Sequence, residues 1–433
     1  MDTTKEAAQE HGYSATPLPD EFNELGEEYF SIGQSENYYE TIRALGGDIS
    51  NSLLNALRDL AFDTSRIAKF KHLDVYQDSV VRYLDSITIG KFAELAHGRI
   101  ALTPFHFQYT STSDGGFTAF QLEFKVVPNS TPPTNLHAII GRNGVGKTYC
   151  LRNMAMSIVA PEKTSATFRD IESQSFAIFS RVVSVSFSAF DPFFPIETTP
   201  MSRVQHNYVG LKSDGGGDSR LSVEDLFSTF ANAVQLCKQG VRRERWRRGL
   251  QSLTSDPIFA ESQIVEMATT DIDSELLRTQ YMRLSSGHKI ILLTVTRLVA
   301  TTEERTLILL DEPEAHLHPP LLSAFVRCLS DLLVDRNAVA VVATHSPVVL
   351  QEVPSSCVHM LYRYGTTIDV YRPDFETFGE GIGRLTSEVF KHEVTESGFH
   401  RLLRQAAESS ESYEEALAKF NGQLVPCINH SFG

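Results

Sequence analysis

Between Tyr39 and Leu60 the apolar residues return at helical spacing (Tyr39, Ile42 and Leu45, then Leu53, Leu54, Leu57 and Leu60), and residues 75–95 repeat the pattern. This predicts a helical N-terminal region over 29–110, preceded by a polar, aperiodic leader over 1–28 that reads as flexible. At Phe117 the period shortens to two. Thr118, Phe120, Leu122 and Phe124 alternate with Phe117, Ala119, Gln121 and Glu123, which predicts a strand. Short apolar runs then recur at 136–140, 182–185, 307–310 and 339–343, each closing on a polar loop, with helical patterns between several of them. That order predicts an α/β fold whose chemistry lies at the C-terminal ends of the strands. Gly215, Gly216 and Gly217, inside a loop over 211–220, open a helical insertion. The expected units are a first sheet lobe over 111–210, the insertion over 211–270, a second sheet lobe over 271–400 and a helical tail over 401–433.

The run 136–140 ends on Gly141-Arg142-Asn143-Gly144-Val145-Gly146-Lys147-Thr148, which fits G-x-x-x-x-G-K-[ST]. Glycines let the backbone wrap closely enough for several N–H groups to face phosphates, and a helix beginning near Lys147 aims its positive end at the same place. Gly141, Asn143, Gly144 and Gly146 would form the cradle, Lys147 would reach the β- and γ-phosphates, and Thr148 would hold Mg²⁺. The run 306–310 delivers Asp311 and Glu312 at its C-terminal end, an arrangement in which the Asp holds Mg²⁺ and the Glu polarises the attacking water. Glu314, His316 and His318 follow. The magnesium nucleotide already explains that cluster, and Pro319-Pro320 marks a helix start, so no separate transition-metal site is assigned to it.

Composition narrows the class. A 42% apolar chain of 433 residues without long polar windows is globular, and no stretch approaches 18 uninterrupted apolar residues. No apolar core follows Met1, so a secretory signal is not expected and the protein should be soluble and cytoplasmic, with no membrane partner. Cys150, Cys237, Cys328, Cys357 and Cys427 are scattered and form no CxxC, which argues for reduced thiols. The net charge of −15 repels phosphate backbones, so any nucleic-acid contact needs a local basic patch. One candidate exists: Lys238, Arg242, Arg243, Arg245, Arg247 and Arg248 surround Trp246 with Glu244 as the one acid among them. It is read either as a solvated helix face or as a contact for nucleic acid or an acidic protein.

The order of the pieces carries a resemblance. P-loop, then Leu284-Ser285-Ser286-Gly287-His288-Lys289 opening a helix, then strand plus Asp311-Glu312, then Val341-Val342-Ala343-Thr344-His345-Ser346-Pro347, is similar to ATP-binding-cassette (ABC) ATPases. The resemblance implies an α/β ABC-type P-loop ATPase head binding ATP and Mg²⁺. It also implies that Ser285 and Gly287 contact the γ-phosphate held by another protomer's P-loop and that His345 senses the same phosphate. Such a site is complete only in a homodimer or higher homo-oligomer. From the sequence alone Ser285 also reads as a plain helix N-cap.

The wording Asp311-Glu312-Pro313-Glu314-Ala315-His316-Leu317-His318-Pro319 resembles the Rad50, RecF and OLD side of that family. Too little chain separates Thr148 from Leu284 for long coiled-coil arms, and too little follows His345 for an appended TOPRIM nuclease, so an ATPase without its own nuclease is expected. Three further stretches are similar to PtuA-type ATPases of Septu and retron-associated antiphage systems: Tyr29-Phe30-Ser31-Ile32-Gly33-Gln34 with Tyr38-Tyr39; Ser186-Phe187-Ser188-Ala189-Phe190-Asp191-Pro192-Phe193; and Phe378-Gly379-Glu380 with Glu388-Val389-Phe390 and Gly398-Phe399. That resemblance implies a PtuB-type HNH nuclease partner and, for the basic patch, DNA or retron RNA–DNA. The alternative is a RecF-like DNA-repair ATPase. One departure stands out: where ABC enzymes carry a Gln after the second sheet strand, this chain has Ser186, Ser188 and Asp191, so hydrolysis is expected to be slow.

Overall fold

The computed structural model describes residues 9–10, 13–14, 18, 21–82, 84, 86–98, 103–113, 118–187, 196, 198, 204–212, 221–239, 241–262, 265–269, 274–389, 399–410, 412–421 and 423. Ten strands make its two main sheets: β1 (Phe105–Thr110), β2 (Gln121–Val126), β3 (Leu136–Gly141), β4 (Thr167–Asp170), β5 (Arg181–Ser186), β6 (Gln205–Gly210), β7 (Thr306–Asp311), β8 (Val339–Thr344), β9 (Val358–Tyr364) and β10 (Thr367–Tyr371). Seven run in the order β10-β9-β3-β8-β7-β5-β6, and every neighbouring pair is parallel except the β9–β10 hairpin at one edge.

β3, β7 and β8 are buried at every position because both faces of this sheet are covered. Alternate residues feed two cores. Leu136, Ala138, Ile140, Ile308, Leu310, Ala340 and Val342 join the helices on one side. Ile139, Leu307, Leu309, Val339 and Val341 join the other side, formed by the P-loop helix Lys147–Val159 and the antiparallel sheet β2-β1-β4. That small sheet packs aromatically: Phe107 lies 5.1 Å from Phe124 and 4.9 Å from Phe168, centroid to centroid. Residues 105–110, assigned by periodicity to the helical N-terminal region, are therefore a strand of the head. The polar faces of His106 and Gln108 hid the alternation of Phe105, Phe107 and Tyr109.

The predicted N-terminal helices are present, including Glu36–Arg43, Gly47–Ala56 and Ser86–Ala96. The motif Gly33…Tyr38-Tyr39 is part of their packing. A Cβ at Gly33 would collide with the Tyr38 ring, and the Tyr39 hydroxyl accepts the Gly33 N–H at 2.8 Å while donating to the buried Asp59 carboxylate. The insertion supplies Val223–Cys237 and Val241–Leu253, which pack on the helix Ser286–Thr301, and the latter also packs on Pro319–Arg336. Trp246 is wholly buried there, its indole N–H donating to Thr296 Oγ1 at 3.0 Å. The four described cysteines are free and buried. No helix among the described residues is long and apolar enough to cross a membrane.

Candidate functional site

Three adjacent parallel strands, β3, β8 and β7, bring the sequence motifs to one edge of the sheet. The loop after β3 needs its glycines for separate reasons. A Cβ at Gly141 would sit 2.5 Å from the Leu361 carbonyl oxygen, so the close approach of β9 excludes any side chain there. Gly144 and Gly146 have φ of 78° and 104°, in the region L-residues avoid. Lys147 is the first residue of the helix and is nearly buried; its ammonium donates to the Gly141 and Arg142 carbonyls at 2.9 and 3.2 Å, closing the loop on itself. Arg363, at the end of β9, donates to Gly144 O at 3.1 Å. No sequence motif announces that residue, since it comes from a neighbouring strand.

Thr148 Oγ1 donates to Asp311 Oδ2 at 2.7 Å, joining two residues far apart in the chain that were both assigned to the metal. Ser186, at the end of β5, pairs in register with Asp311, and its buried hydroxyl has no hydrogen-bond partner among the described residues. Two hydroxyls and a carboxylate beside the glycine loop are the hard oxygen donors that Mg²⁺ prefers, and the orphaned hydroxyl gives such an ion or its water a further partner, so these residues fit Mg²⁺. Ser188 and Asp191 lie outside the described residues.

Glu312 leaves β7 in the left-handed region at φ 43°, with its N–H donated to Ala343 O at 2.9 Å. A non-Gly residue held in this way carries strain that often accompanies function. Its carboxylate lies 3.8 Å from His345 Nδ1. Glu314 is closer to that histidine, at 3.2 Å, and its Oε1 also accepts the Thr344 hydroxyl and the His345 N–H, both at 2.7 Å. Sequence reasoning weighed Glu314 only with His316 and His318 as a metal cluster, because Thr344 and His345, at the end of the neighbouring β8 and just after it, are far away along the chain.

The structure places Ser285 as the N-cap of Ser286–Thr301, and Gly287 against the post-β7 loop, where a Cβ would meet His316 O at 2.6 Å. His316 in turn approaches Phe187 O at 3.2 Å. Asn143, His345 and the P-loop thus share one edge, while Ser285 and Gly287 lie on the helix beyond that loop.

The basic helix is less free than its composition suggests. Arg245 and Arg248 both pair with Asp335, at 2.5 and 2.9 Å; Arg247 pairs with Glu244 at 2.8 Å; Arg242 reaches Glu303 at 4.0 Å; and Arg243 donates to Ala268 O at 2.7 Å.

Residues 255–351, which include Leu284–Lys289, Asp311-Glu312 and His345, match the family model described as "AAA domain, putative AbiEii toxin, Type IV TA system". Among solved structures, the chain is similar to cbiO1 from Clostridium perfringens, part of the ABC transporter complex cbiONQ, at 14% identity and TM-score 0.36 over 73% of this chain and 100% of that one. It is similar also to the ADP conformation of an ATP-binding cassette of an ABC transporter, at 14% identity and TM-score 0.34, over 67% and 98%. Protein ea59 of Escherichia phage lambda is 41% identical over 431 residues, covering 93% of this chain and 82% of the relative. With that identity along nearly its whole length, the chain belongs to the family of phage lambda protein ea59, and its residues 255–351 match the AAA-domain model.

Proposed function

We propose that the chain binds ATP with Mg²⁺ and hydrolyses it at a site completed by a second copy of itself. The observation that carries this reading is the meeting of Lys147, Thr148, Asp311, Glu312 and His345 at adjacent strand ends, with Thr148 hydrogen-bonded to Asp311. Bound Mg²⁺ would neutralise phosphate charge and draw electrons from the transferring phosphorus. The P-loop amides and Lys147 hold the phosphates, Thr148 and Asp311 hold the metal, and Glu312 orients water for in-line attack. His345, itself held by Glu314, contacts the terminal phosphate. Ser285 and Gly287 serve the P-loop of the partner copy.

Glu312→Gln is expected to keep ATP affinity, lose most turnover and lengthen the life of the ATP-bound dimer. Lys147→Ala is expected to lose affinity in a direct ATP titration. Ser285→Arg places a bulky cation at the composite site, so the ATP-dependent shift on size exclusion should vanish while the monomer stays folded. Wild-type turnover in Glu312→Gln, or wild-type affinity in Lys147→Ala, would refute the assignment.

The reading extends to a separate HNH-type nuclease polypeptide controlled by this ATPase in an antiphage system. That part rests on the three PtuA-like stretches, of which 188–193 and 390–398 lie outside the described residues. Its test is what co-purifies with the native chain, with cleavage of DNA or RNA expected only when the second polypeptide is present. Strong stimulation of the purified chain's ATPase by duplex DNA alone would point instead to a RecF-like enzyme.

A further inference from the structure

Three chain segments meet on His288, which is 3% exposed. Its Nδ1 lies 2.5 Å from Ser285 Oγ and its Nε2 lies 3.0 Å from Asp256 Oδ1. Asp256 belongs to the insertion, is 1% exposed, and caps the helix Pro257–Glu261 by accepting the Ile258 and Phe259 N–H groups at 3.0 and 3.3 Å. Its other oxygen lies 3.3 Å from Nε2 of His318, on the segment that follows Glu312. Phe259 packs its ring against His288 in a T-shaped contact at 4.9 Å.

With both imidazoles neutral, one placement of protons satisfies every contact in this chain. The Leu321 N–H points at His318 Nδ1 at 3.4 Å, so His318 carries its proton on Nε2 and donates to Asp256. Burial raises the Asp256 pKa, but hydrogen bonds from His288 and the two amides outweigh that and hold it below the ordinary carboxylate value, so the group is an anion. The anion takes the Nε2 proton of His288, which leaves Nδ1 as an acceptor. The hydrogen available to fill it is the Ser285 hydroxyl, while Ser285 Oγ accepts at the helix start. A divalent metal on the same three residues would displace both Nε2 protons and set a protonated His318 Nδ1 against the Leu321 N–H, so these contacts favour a proton chain over a metal site.

A phosphate oxygen can only accept. Ser285 can donate to one only after its hydroxyl leaves His288. We propose that Asp256 and His288 are positioning residues that lock Ser285 in a resting orientation, so that the insertion restrains assembly of the composite ATP site until a partner copy or an effector moves Asp256. The proposal rests on the composite-site reading above and deepens it by naming the restraint. It links the insertion to catalysis by direct contact: Asp256 follows directly on the helix that Arg245 and Arg248 fasten to Asp335.

The experiment is a double-mutant cycle on the full chain, reading turnover at saturating ATP, direct ATP affinity and ATP-dependent dimerisation. His288→Gln keeps a donor for Asp256, while its amide oxygen no longer occupies the Nδ1 position that the Ser285 hydroxyl faces. Asp256→Asn keeps the helix cap and removes the charge that polarises His288. Releasing one hydrogen bond should raise basal turnover about threefold or more in each variant, with ATP affinity unchanged. In a Ser285→Ala background neither substitution should have a further effect, because both act through that hydroxyl; a merely structural role would give additive losses instead. Turnover that falls or stays level in both single variants overturns the lock, as does additivity in the Ser285→Ala background. Equimolar Zn²⁺ that survives dialysis of the wild type and is absent from His318→Ala would overturn the proton assignment. Wild-type turnover in Ser285→Ala would instead refute the composite site itself, a result distinct from failure of the lock alone.

Discussion

A single carboxylate oxygen, Glu314 Oε1, accepts from the Thr344 hydroxyl and the His345 N–H and stands 3.2 Å from the His345 ring. It therefore fixes both the backbone and the side chain of the residue assigned to the terminal phosphate. Removing it strands two donors on a strand end, and hydrogen bonds to charged groups are worth about 1.5–3 kcal/mol each. Glu314→Ala should lower turnover by about tenfold or more with ATP affinity little changed, since Lys147 and the P-loop are untouched. Glu314→Gln keeps an acceptor and should recover part of the activity. Wild-type turnover in Glu314→Ala would remove Glu314 from the site. At this scale the legible residues were those whose spacing along the chain is itself the signal: Gly141, Lys147, Thr148, Asp311 and Glu312. Glu314, Arg363 and Asp256 were not legible as site residues, because each acts on a partner that only the sheet or the insertion brings near.

Among the elements, the helix Val241–Leu253 shows how composition misleads. Read alone it is a run of arginines. In the structure Trp246 and Leu250 are buried, and two of the acids that pair with its arginines, Asp335 and Glu303, lie far along the chain. Arg245 is the most enclosed of the ion-paired arginines on this helix, with a side chain 11% exposed against one of 16% on Asp335. Removing Arg245 leaves the enclosed Asp335 carboxylate with only the exposed Arg248, at a cost of up to about 3 kcal/mol, whereas the i,i+3 pair of Arg247 with Glu244 is solvent-exposed and contributes little. Arg245→Ala should thus lower the thermal midpoint by several degrees and Arg247→Ala should hardly move it. Equal shifts would show that Arg245 is not a structural anchor. If the helix also binds nucleic acid, replacing Arg242 and Arg247 should reduce the slope of log K against log salt by nearly one for each arginine that neutralises a phosphate. The strands were legible where both faces are buried, as in β3, β7 and β8. They were not where polar residues occupy one face, as in β1 and β6, whose His106, Gln108, Gln205 and Asn207 dilute the apolar signal.

For the molecule as a whole, α/β class and the position of the site at strand ends followed from the alternation of apolar runs and helical patterns, but strand order and the two-sided core did not. The core has a consequence for acid stability. His137 is fully buried on β3, with no hydrogen-bond partner for either ring nitrogen among the described residues; burial, aided by Arg372, pushes its pKa down to about 3. Burial likewise takes His206 down to about 4 and His359, again beside Arg372, well below the usual value. In the unfolded chain each returns to about 6.5. The unfolded state therefore binds more protons below that pH, and the stability these histidines contribute is fully present above about pH 6.5 and declines as the pH falls toward their folded values. At pH 5 the decline is about 2 kcal/mol each for His137 and His206, set against a total stability of about 5–15 kcal/mol. Asp59 works in the opposite direction: burial raises it to about 6, so it favours the fold as the pH drops through that value and offsets part of the histidines' decline. The urea midpoint should consequently fall between pH 7 and pH 5. Substituting His137 by Phe, which removes a protonation site from the sheet core, should flatten that slope even if it changes the absolute stability. A midpoint that does not move between pH 7 and pH 5 would show that these rings can take up protons within the folded core.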